Sequence, residues 1–229
     1  MDERIGFIGA GAMAEAVAGC LVASGRAPAA LLASDPRPDR RERFAALGAL
    51  VAADDAELAA RADTIVLAVP PPAVERALAE IARSLAPGKL VVAAAPGLTA
   101  GAVRRFLPEA LIVRAAPAAP CLVGNGVSVL CADAAVGAAE RERAARIFGA
   151  CGAVVWVPDE RTLELAAAIG AAASAFFFRG GEALTHAAVE AGLPAESAAT
   201  LVRRMLLGAA ALAAAGRDAE GSNAAEEVD

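Results

Sequence analysis

Aromatic residues are scarce in this sequence: among 229 residues there is no tyrosine, one tryptophan and one histidine. Alanine, valine and leucine supply most of the apolar share, and this composition favours closely packed helices over an aromatic core. The cysteines form no CxxC pair and have no metal-like spacing to His186; they are Cys20, Cys121, Cys131 and Cys151. We therefore predict no metal site and expect buried, reduced thiols in a cytoplasmic protein.

Positive charge and long uncharged runs are also in short supply. Lysine and arginine number 21 against 27 aspartates and glutamates, so the chain lacks the basic footprint of a nucleic-acid binder. The apolar stretch 165–178 lies between Glu164 and Arg179 and is shorter than the about 20 residues that span a bilayer. No signal peptide precedes the first apolar run. The sequence therefore predicts neither a nucleic-acid partner nor a membrane partner.

Short apolar runs alternate with alanine-rich helical segments over residues 1–157. The predicted strands are residues 4–8, 30–33, 64–69, 89–93, 111–114, 127–131 and 154–157. The predicted helices between them are residues 12–23, 39–47, 72–85, 100–106 and 138–150. This alternation is typical of an α/β fold with a doubly wound, mostly parallel sheet. Near-continuous apolar runs such as IVLAV at 65–69 fit strands that are buried on both faces.

The pattern changes at Pro158, beyond which no strand signal is found. A long helix is predicted from about residue 160 into 184–191, GLP at 192–194 breaks the chain, and a last helix follows to about residue 214. We expect a first domain at 1–157, a small all-α domain at 158–216 and a disordered acidic tail at 217–229. Helices so apolar and so few need a partner surface, which predicts a homodimer or higher homo-oligomer formed through these C-terminal helices.

A glycine-rich turn follows the first predicted strand, in the sequence IGFIGAGAMA at 5–14. Gly9 lets the chain turn tightly, Gly11 lets a pyrophosphate approach the backbone, and the small Ala14 lets the next helix pack against the sheet. That helix begins at Ala12, and the free N–H groups of its first turn, which includes Ala12 and Met13, point towards the phosphates. In this strand–turn–helix context the pattern predicts an NAD or NADP site in a Rossmann-type domain.

The second predicted strand ends about 20 residues beyond the turn, where a Rossmann-type domain reads the adenosine ribose. Asp35 would accept hydrogen bonds from the ribose hydroxyls and so favours NAD. Ser34 and Arg37, with Arg40 and Arg41 nearby, would hold a 2′-phosphate and so favour NADP. The sequence leaves both cofactors open.

Two other strand ends are candidates for contact with the cofactor. Ligands of open α/β sheets bind beyond the carboxyl ends of the strands. We therefore predict cofactor contacts at Ala68, Val69 and Pro70 after one strand, and at Ala95 and Gly97 after the next.

The order of these motifs resembles the pyrroline-5-carboxylate reductase family over nearly the whole chain, to about residue 216. Residues 5–18 resemble the family's opening IGFIGxGNMAxA, residues 67–71 its LAVKP, residues 91–99 its VSIAAGIT and residues 114–126 its RxMPNTPxxVxxG. Residues 182–194 and 206–211 resemble the helical domain through which members of the family dimerise. These motifs together are far more specific than a glycine-rich turn alone.

The resemblance implies an NAD(P)H-dependent reductase of proline biosynthesis. It would transfer a hydride to the C=N bond of 1-pyrroline-5-carboxylate or of a related cyclic imine. The resemblance also implies a substrate pocket that includes Pro117, Gly170 and Ser174. No catalytic residue is assigned: Ser174, Glu164 and His186 are the polar candidates, and each has an ordinary structural explanation.

Several polar residues of the family's motifs are replaced in this sequence. Ala12 stands in the place of an asparagine, Pro70 in that of a lysine and AA at 118–119 in that of Asn-Thr. The family's KDxVxSPGGTT motif is not found, so a divergent member with a shortened C-terminus is expected. Because each lost transition-state donor typically costs about 2.7–4 kcal/mol, an alternative stays open: a catalytically impaired NAD(P)-binding sensor or partner subunit.

Two other groups of reductases share parts of this pattern. β-Hydroxyacid dehydrogenases join a similar pair of domains, but they carry a catalytic lysine followed by an asparagine in the interdomain helix. Residues 165–178 have neither, which disfavours that group. Deazaflavin-dependent NADP reductases share the N-terminal pattern and stay open.

Overall fold

A computed structural model of the chain describes residues 3–216. The predicted disordered tail, 217–229, lies outside the described residues. The described part has these strands: β1 (Ile5–Ile8), β2 (Leu31–Ser34), β3 (Leu50–Val51), β4 (Thr64–Leu67), β5 (Leu90–Ala93), β6 (Leu111–Pro117), β7 (Gly126–Ala132) and β8 (Gly152–Trp156). Its helices are α1 (Ala12–Ala23), α2 (Pro38–Ala46), α3 (Asp55–Arg61), α4 (Val74–Ile81), α5 (Ala100–Phe106), α6 (Ala138–Gly149), α7 (Glu160–Glu190) and α8 (Ala195–Ala214).

The eight strands form one sheet in the order β3-β2-β1-β4-β5-β6-β7-β8. Neighbouring strands are parallel except β6 and β7, which pair antiparallel. The chain begins in the interior at β1, winds outward to β3, and returns past β1 to β4 and the opposite edge. This reversal leaves a crevice beyond the carboxyl ends of β1 and β4, where ligands of such sheets bind. The predicted α/β class, with a doubly wound and mostly parallel sheet, is confirmed.

Two apolar layers cover the sheet because successive residues of a strand point to opposite faces. On one face Phe7 packs against Phe44 of α2, with ring centroids 5.7 Å apart. On the other face the next residue of β1, Ile8, packs with Leu58 of α3 and Leu78 of α4. Fully burying a side chain of this size contributes about 1.5–3 kcal/mol. Burial on both faces explains why the strands are apolar at almost every position.

Two short elements escaped the sequence prediction, α3 and β3. Both residues of β3 are exposed, so this edge strand has no apolar periodicity. The N-terminus of α3 has a clear signal, since the Asp54 carboxylate accepts a 2.7 Å hydrogen bond from the Glu57 N–H. All of the predicted strands and helices are present, with ends that differ by a few residues. The helix predicted at 72–85 consists of a 3-10 turn, Pro71–Ala73, followed by α4.

The chain divides into two compact units, Met1–Ala171 and Ala172–Asp229, so the division falls inside α7. The domain boundary predicted at residues 157/158 lies just before this helix and stays a prediction. Within the second unit the later turns of α7 pack against α8. A Cβ atom added to Gly181 would lie 3.0 Å from Leu206 Cδ1, so a glycine allows the close approach of the two helices.

Both long helices have extensive apolar surface that the described chain leaves uncovered. In their most apolar windows only 6% of the α7 residues and 11% of the α8 residues are buried. By length and composition both helices could cross a membrane, which is a weak indication because helices of soluble proteins pass the same test. In the second unit the exposed apolar side chains include Phe176, Phe178, Leu201, Met205 and Leu207.

The four cysteines are free thiols. Cys121, Cys131 and Cys151 are buried, and Cys20 on α1 is partly exposed. Burial, together with the neighbouring Cys20 thiol, raises the pKa of Cys151 to about 12, so this thiol stays protonated at neutral pH.

Candidate functional site

The glycine-rich turn joins β1 to α1 at the crevice of the sheet. Gly9 has a φ of +89°, and a Cβ atom there would lie 2.7 Å from the Ala68 carbonyl oxygen at the end of β4. Gly11 is the N-cap of α1 and supplies no side chain to cap it. A Cβ atom on Gly11 would meet only Arg40 Nη1, at 3.8 Å. Gly9 therefore shapes the turn, while Gly11 keeps the space above the N-terminus of α1 clear.

Asp35, at the end of β2, holds this turn in place. Its carboxylate is buried and accepts hydrogen bonds from the Ala10 N–H at 2.9 Å and the Arg37 N–H at 2.9 Å. The adjacent Ser34 is also buried, and its hydroxyl donates to the Asp55 carboxylate at 2.6 Å. Burial raises the pKa of the Asp55 carboxyl above its ordinary value, although the Ser34 hydrogen bond opposes the shift. Asp35 and Ser34, which were predicted to bind the ribose or its phosphate, thus form hydrogen bonds within the protein. Their contact with a cofactor stays a prediction.

Three arginines surround the same corner. Arg40 Nη1 lies 3.3 Å from Asp35 Oδ2 and is the guanidinium nearest to Gly11. Arg41 Nη1 donates to the Asp35 carbonyl oxygen at 2.7 Å. Arg37 pairs with the exposed Asp39 carboxylate at 2.8 Å, and this partner raises the pKa of its guanidinium. The buried Asp35 carboxylate is therefore surrounded by donors, and arginine side chains line the surface beside the turn.

A cavity of about 480 Å³ lies at the carboxyl ends of β4, β5 and β6. It brings together most of the residues predicted at the strand ends and the predicted pocket residue Pro117. Its walls are Met13, Ala68, Val69, Pro70, Pro71, Ala94, Ala95, Pro96, Arg114, Ala115, Ala116, Pro117, Leu163, Glu164 and Ala167. Except for one arginine and one glutamate, this wall has no charged side chain.

Three residues form an ion-pair cluster at this cavity. The Arg114 side chain is only 3% exposed; its Nη1 lies 3.2 Å from Glu160 Oε1 and its Nη2 lies 2.8 Å from Glu164 Oε1. Glu160 Oε1 also accepts a hydrogen bond from the Ala100 N–H, the first residue of α5, at 2.6 Å. Arg114 Nε is buried and has no hydrogen-bond partner among residues 3–216. This cluster joins α5, β6 and the first turns of α7 at the cavity wall.

The sequence contained a signal for this cluster that the site prediction did not use. Arg114 is a lone charge in an apolar strand that must be buried, and a buried guanidinium needs carboxylate partners. Glu160 and Glu164 are spaced i, i+4 and therefore lie on one side of a helix. Pairing the two patterns indicates a salt bridge between β6 and α7.

Some predicted site residues lie outside this cavity wall. Ala12 lines a different hollow beside α1, and Gly97 forms the turn after β5 with a φ of +71°. A Cβ atom on Gly170 would lie 3.8 Å from Ala118 Cβ, close to the residue after Pro117. Ser174 belongs to the second unit, as does His186, which lines an apolar hollow of about 430 Å³ between α7 and α8. The assignment of Gly170 and Ser174 to a substrate pocket stays a prediction.

Comparison with known families matches both ends of the chain. A model described as NADP oxidoreductase coenzyme F420-dependent matches residues 4–97. A model described as pyrroline-5-carboxylate reductase dimerisation matches residues 160–228. The first match covers the glycine-rich turn and the strand ends, and the second covers α7 and α8.

Individual relatives extend over most of the chain. Pyrroline-5-carboxylate reductase of Pseudomonas aeruginosa is 36% identical over 212 residues, which are 92% of this chain and 78% of that protein. The Arabidopsis thaliana enzyme is 32% identical over 91% of this chain and 76% of its own length. The solved pyrroline-5-carboxylate reductase from Coxiella burnetii has a TM-score of 0.89 at 32% identity, covering 95% of this chain and 82% of that one. Pyrroline carboxylate reductase from Plasmodium falciparum, with NADP bound, has a TM-score of 0.81 at 26% identity, covering 92% and 78%.

A glycine-rich turn that opens onto a crevice at the strand ends of a doubly wound sheet defines a Rossmann-type, NAD(P)-dependent oxidoreductase. Within this class, the named relatives are pyrroline-5-carboxylate reductases, and the similarity covers most of this chain and most of each relative. The chain belongs to the pyrroline-5-carboxylate reductase family, which confirms the resemblance inferred from its motifs.

Proposed function

We propose that this protein reduces the C=N bond of 1-pyrroline-5-carboxylate with NADPH, as the last reduction of proline biosynthesis. The observation that carries the proposal is the open space above Gly11 at the N-terminus of α1, together with a largely apolar cavity at the strand ends. Relatives named for this reaction cover most of the chain.

The glycine-rich turn fits a dinucleotide. Gly11 and the uncapped first turn of α1 present bare backbone to a pyrophosphate. Ala68, Val69 and Ala95 stand at the strand ends, where the nicotinamide half of such a cofactor is held. When bound, the reduced nicotinamide supplies a hydride.

In this proposal the residues of the chain bind and orient the cofactor and the substrate. The backbone of the turn would hold the pyrophosphate, and the residues at the strand ends would hold the nicotinamide half of the cofactor. The alanine and proline walls of the cavity are apolar, so charges there are screened less than in bulk solvent. Holding both reactants in one geometry lowers the entropic part of the barrier.

NADPH is the preferred form in this proposal. An acidic side chain at the end of β2 repels a 2′-phosphate when it is exposed, but here Asp35 is buried and surrounded by donors. Arg37 and Arg40 each pair with a carboxylate, but both guanidinium groups are partly exposed and could also donate to a 2′-phosphate.

Calorimetric titration of NADPH and NADH into the Arg40→Ala variant tests the cofactor choice. We expect NADPH affinity to fall about 10-fold, which is about 1.4 kcal/mol, while NADH affinity changes little. Arg43→Ala is a matched control because Arg43 lies on the same helix but pairs with Glu15 at 3.4 Å. Equal loss of NADPH and NADH affinity in Arg40→Ala would refute the assignment.

Oligomerisation through the second unit and a cytoplasmic location complete the proposal. The match to a dimerisation family over α7 and α8 and the apolar side chains exposed there support a homodimer or higher homo-oligomer. The same partner surface would account for the apolar faces of these helices without a membrane. The domain boundary at 157/158 and the assignment of Pro117, Gly170 and Ser174 to the substrate pocket belong to this proposal as well.

A further inference from the structure

The ion-pair cluster at the cavity has an excess of negative charge. One guanidinium, Arg114, faces two carboxylates, Glu160 and Glu164. Glu160 has a second donor, the Ala100 N–H at 2.6 Å, so its charge is well compensated. The remaining negative charge is therefore concentrated on Glu164.

Glu164 is also the member of the cluster that a ligand can reach. Its side chain is 51% exposed and lines the cavity, whereas that of Arg114 is 3% exposed. The two Nη groups of Arg114 are taken by glutamates, and its Nε is enclosed. The cavity therefore presents a carboxylate, and not a free guanidinium, to its contents.

A half-buried anion within apolar walls is complementary to a cation. The reactive form of a cyclic imine is its protonated iminium, which carries a positive charge on nitrogen. Hydrogen bonds to ionised groups are about twice as strong as those between neutral groups, and apolar surroundings strengthen them further.

We propose that Glu164 binds the protonated nitrogen of the cyclic imine and that Arg114 is a positioning residue that fixes the Glu164 carboxylate. This inference rests on the proposed reductase function and adds the group that selects the cationic form of the substrate. In the reduction, hydride adds to the carbon of the C=N bond and the π electron pair becomes the lone pair of nitrogen. The nitrogen keeps the proton it already has, and dihydronicotinamide is oxidised to nicotinamide. Glu164 neither gains nor loses a proton.

Ring probes that differ in charge separate this role from general pocket shape. Pyrrolidinium is a five-membered ring with a cationic nitrogen, and cyclopentanecarboxylate is a similar ring without one. We expect Glu164→Gln to weaken pyrrolidinium binding to the NADP⁺-loaded protein about 10- to 100-fold, without weakening the binding of cyclopentanecarboxylate, an anion that the Glu164 charge repels. Glu164→Asp should recover part of the pyrrolidinium affinity because it restores the charge.

Glu160→Gln is the matched control, because Glu160 pairs with the same arginine but is absent from the cavity wall. Its pyrrolidinium affinity should fall far less than that of Glu164→Gln. Unchanged pyrrolidinium binding in Glu164→Gln overturns the proposal. An equal loss of both probes overturns it too, because that pattern indicates a collapsed cavity.

Steady-state kinetics give a second readout. The fall in kcat/KM for the cyclic imine in Glu164→Gln should come mainly from KM, since the lost contact holds the substrate in its reactive form. If the unmodified protein reduces no cyclic imine, the proposed function fails, while the binding measurements still decide whether Glu164 selects a cation. A fall confined to kcat would contradict the inference.

A double-mutant cycle tests the positioning role of Arg114. Arg114→Lys should weaken pyrrolidinium binding in the unmodified background, because lysine lacks the forked geometry that holds Glu164. In the Glu164→Gln background the same change should have little further effect on this affinity. Additive losses would show that Arg114 does not act through Glu164.

Discussion

At the scale of single residues, the two glycines of the turn meet different physical demands. Gly9 must adopt a φ of +89° against the Ala68 carbonyl, so its constraint lies in the folded chain itself. Gly11 has an ordinary backbone conformation, with a φ of −72°, and space for a Cβ atom. Its constraint comes from the diphosphate that we propose approaches it. We therefore expect Gly9 to be needed for folding and Gly11 for cofactor binding.

The first prediction separates these two demands. Gly11→Ala should leave the thermal midpoint nearly unchanged and abolish measurable NADPH binding, because the new methyl group occupies the place of the diphosphate. Gly9→Ala should cost about 1–3 kcal/mol of folding free energy from backbone strain, with further loss from the clash. Thermal unfolding and fluorescence titration with NADPH measure both effects.

Gly19→Ala is the control for the first prediction, because Gly19 lies in the middle of α1 with nothing within 4 Å of an added Cβ atom. It should stabilise the protein by about 0.5–1 kcal/mol and leave binding intact. Retention of full NADPH affinity in Gly11→Ala would refute the proposed role of this turn.

A second residue-scale prediction concerns Asp55 and pH. Its folded-state pKa is raised above 3.8 by burial, so its contribution to stability is present below that value and is lost as pH rises through the raised pKa. Asn keeps the oxygen that accepts the Ser34 hydroxyl but cannot ionise. The free energy of unfolding of Asp55→Asn, relative to the unmodified protein, should therefore increase as pH rises from about 3 to neutral.

In the same experiment, the free energy of unfolding of Asp39→Asn relative to the unmodified protein should change with pH in the opposite direction. Its hydrogen bond with Arg37 lowers the pKa of the Asp39 carboxyl, so the stabilisation is present at neutral pH and lost on acidification. Denaturant unfolding across the pH range reads out both variants. Parallel pH profiles for the two variants would contradict the assigned shifts.

At the scale of elements, apolar periodicity and turn residues predict most of the strands and helices of this fold, but they do not predict its shortest elements. Strands β1, β4 and β5 are apolar because helices cover both faces of the sheet, and this property is visible in the sequence. The edge strand β3 has no such requirement, since both of its residues are exposed. Its existence depends on pairing with β2, which is a tertiary contact that local sequence does not encode.

The candidate site follows the same division. The glycine-rich turn and the strand ends were predictable because their chemistry is local in sequence. The cluster of Arg114, Glu160 and Glu164 joins residues from β6 and α7, so it depends on how the chain folds back on itself. Asp35 was predicted to bind the ribose, and its hydrogen bond from the Ala10 N–H of the turn likewise depends on the tertiary structure.

The N-cap of α3 gives a prediction at this scale. Asp54→Ala removes the acceptor for the Glu57 N–H and should destabilise the protein by about 1 kcal/mol, with no change in the slope of a urea unfolding curve. Asp54→Asn retains a capping oxygen and should cost much less. If both substitutions have the same cost, the cap does not stabilise α3.

At the scale of the whole molecule, the exposed apolar side chains concentrate on the second unit. Phe176, Phe178 and Met205 are 74%, 73% and 65% exposed. An exposed apolar surface of this kind marks a site of association with a protein or a membrane. The match of α7 and α8 to a dimerisation family supports a second copy of the chain as the partner.

Met205→Asp should therefore reduce the mass measured by sedimentation equilibrium to that of a monomer, because it places a charge in the proposed interface. Val123→Asp is the matched control, since Val123 is 80% exposed but lies in the first unit. Its mass should equal that of the unmodified oligomer. A monomeric unmodified protein, or dissociation by Val123→Asp alone, would contradict the proposed interface.

Isotope transfer tests the central claim most directly. The protein is incubated with NADPH that carries deuterium at the transferable C4 position and with 1-pyrroline-5-carboxylate, and the product is analysed by mass spectrometry and NMR. The account predicts one equivalent of proline with deuterium at the former imine carbon for each NADPH oxidised, and no product from Gly11→Ala. Tight NADPH binding without any labelled proline would contradict it and favour a protein that only binds the cofactor.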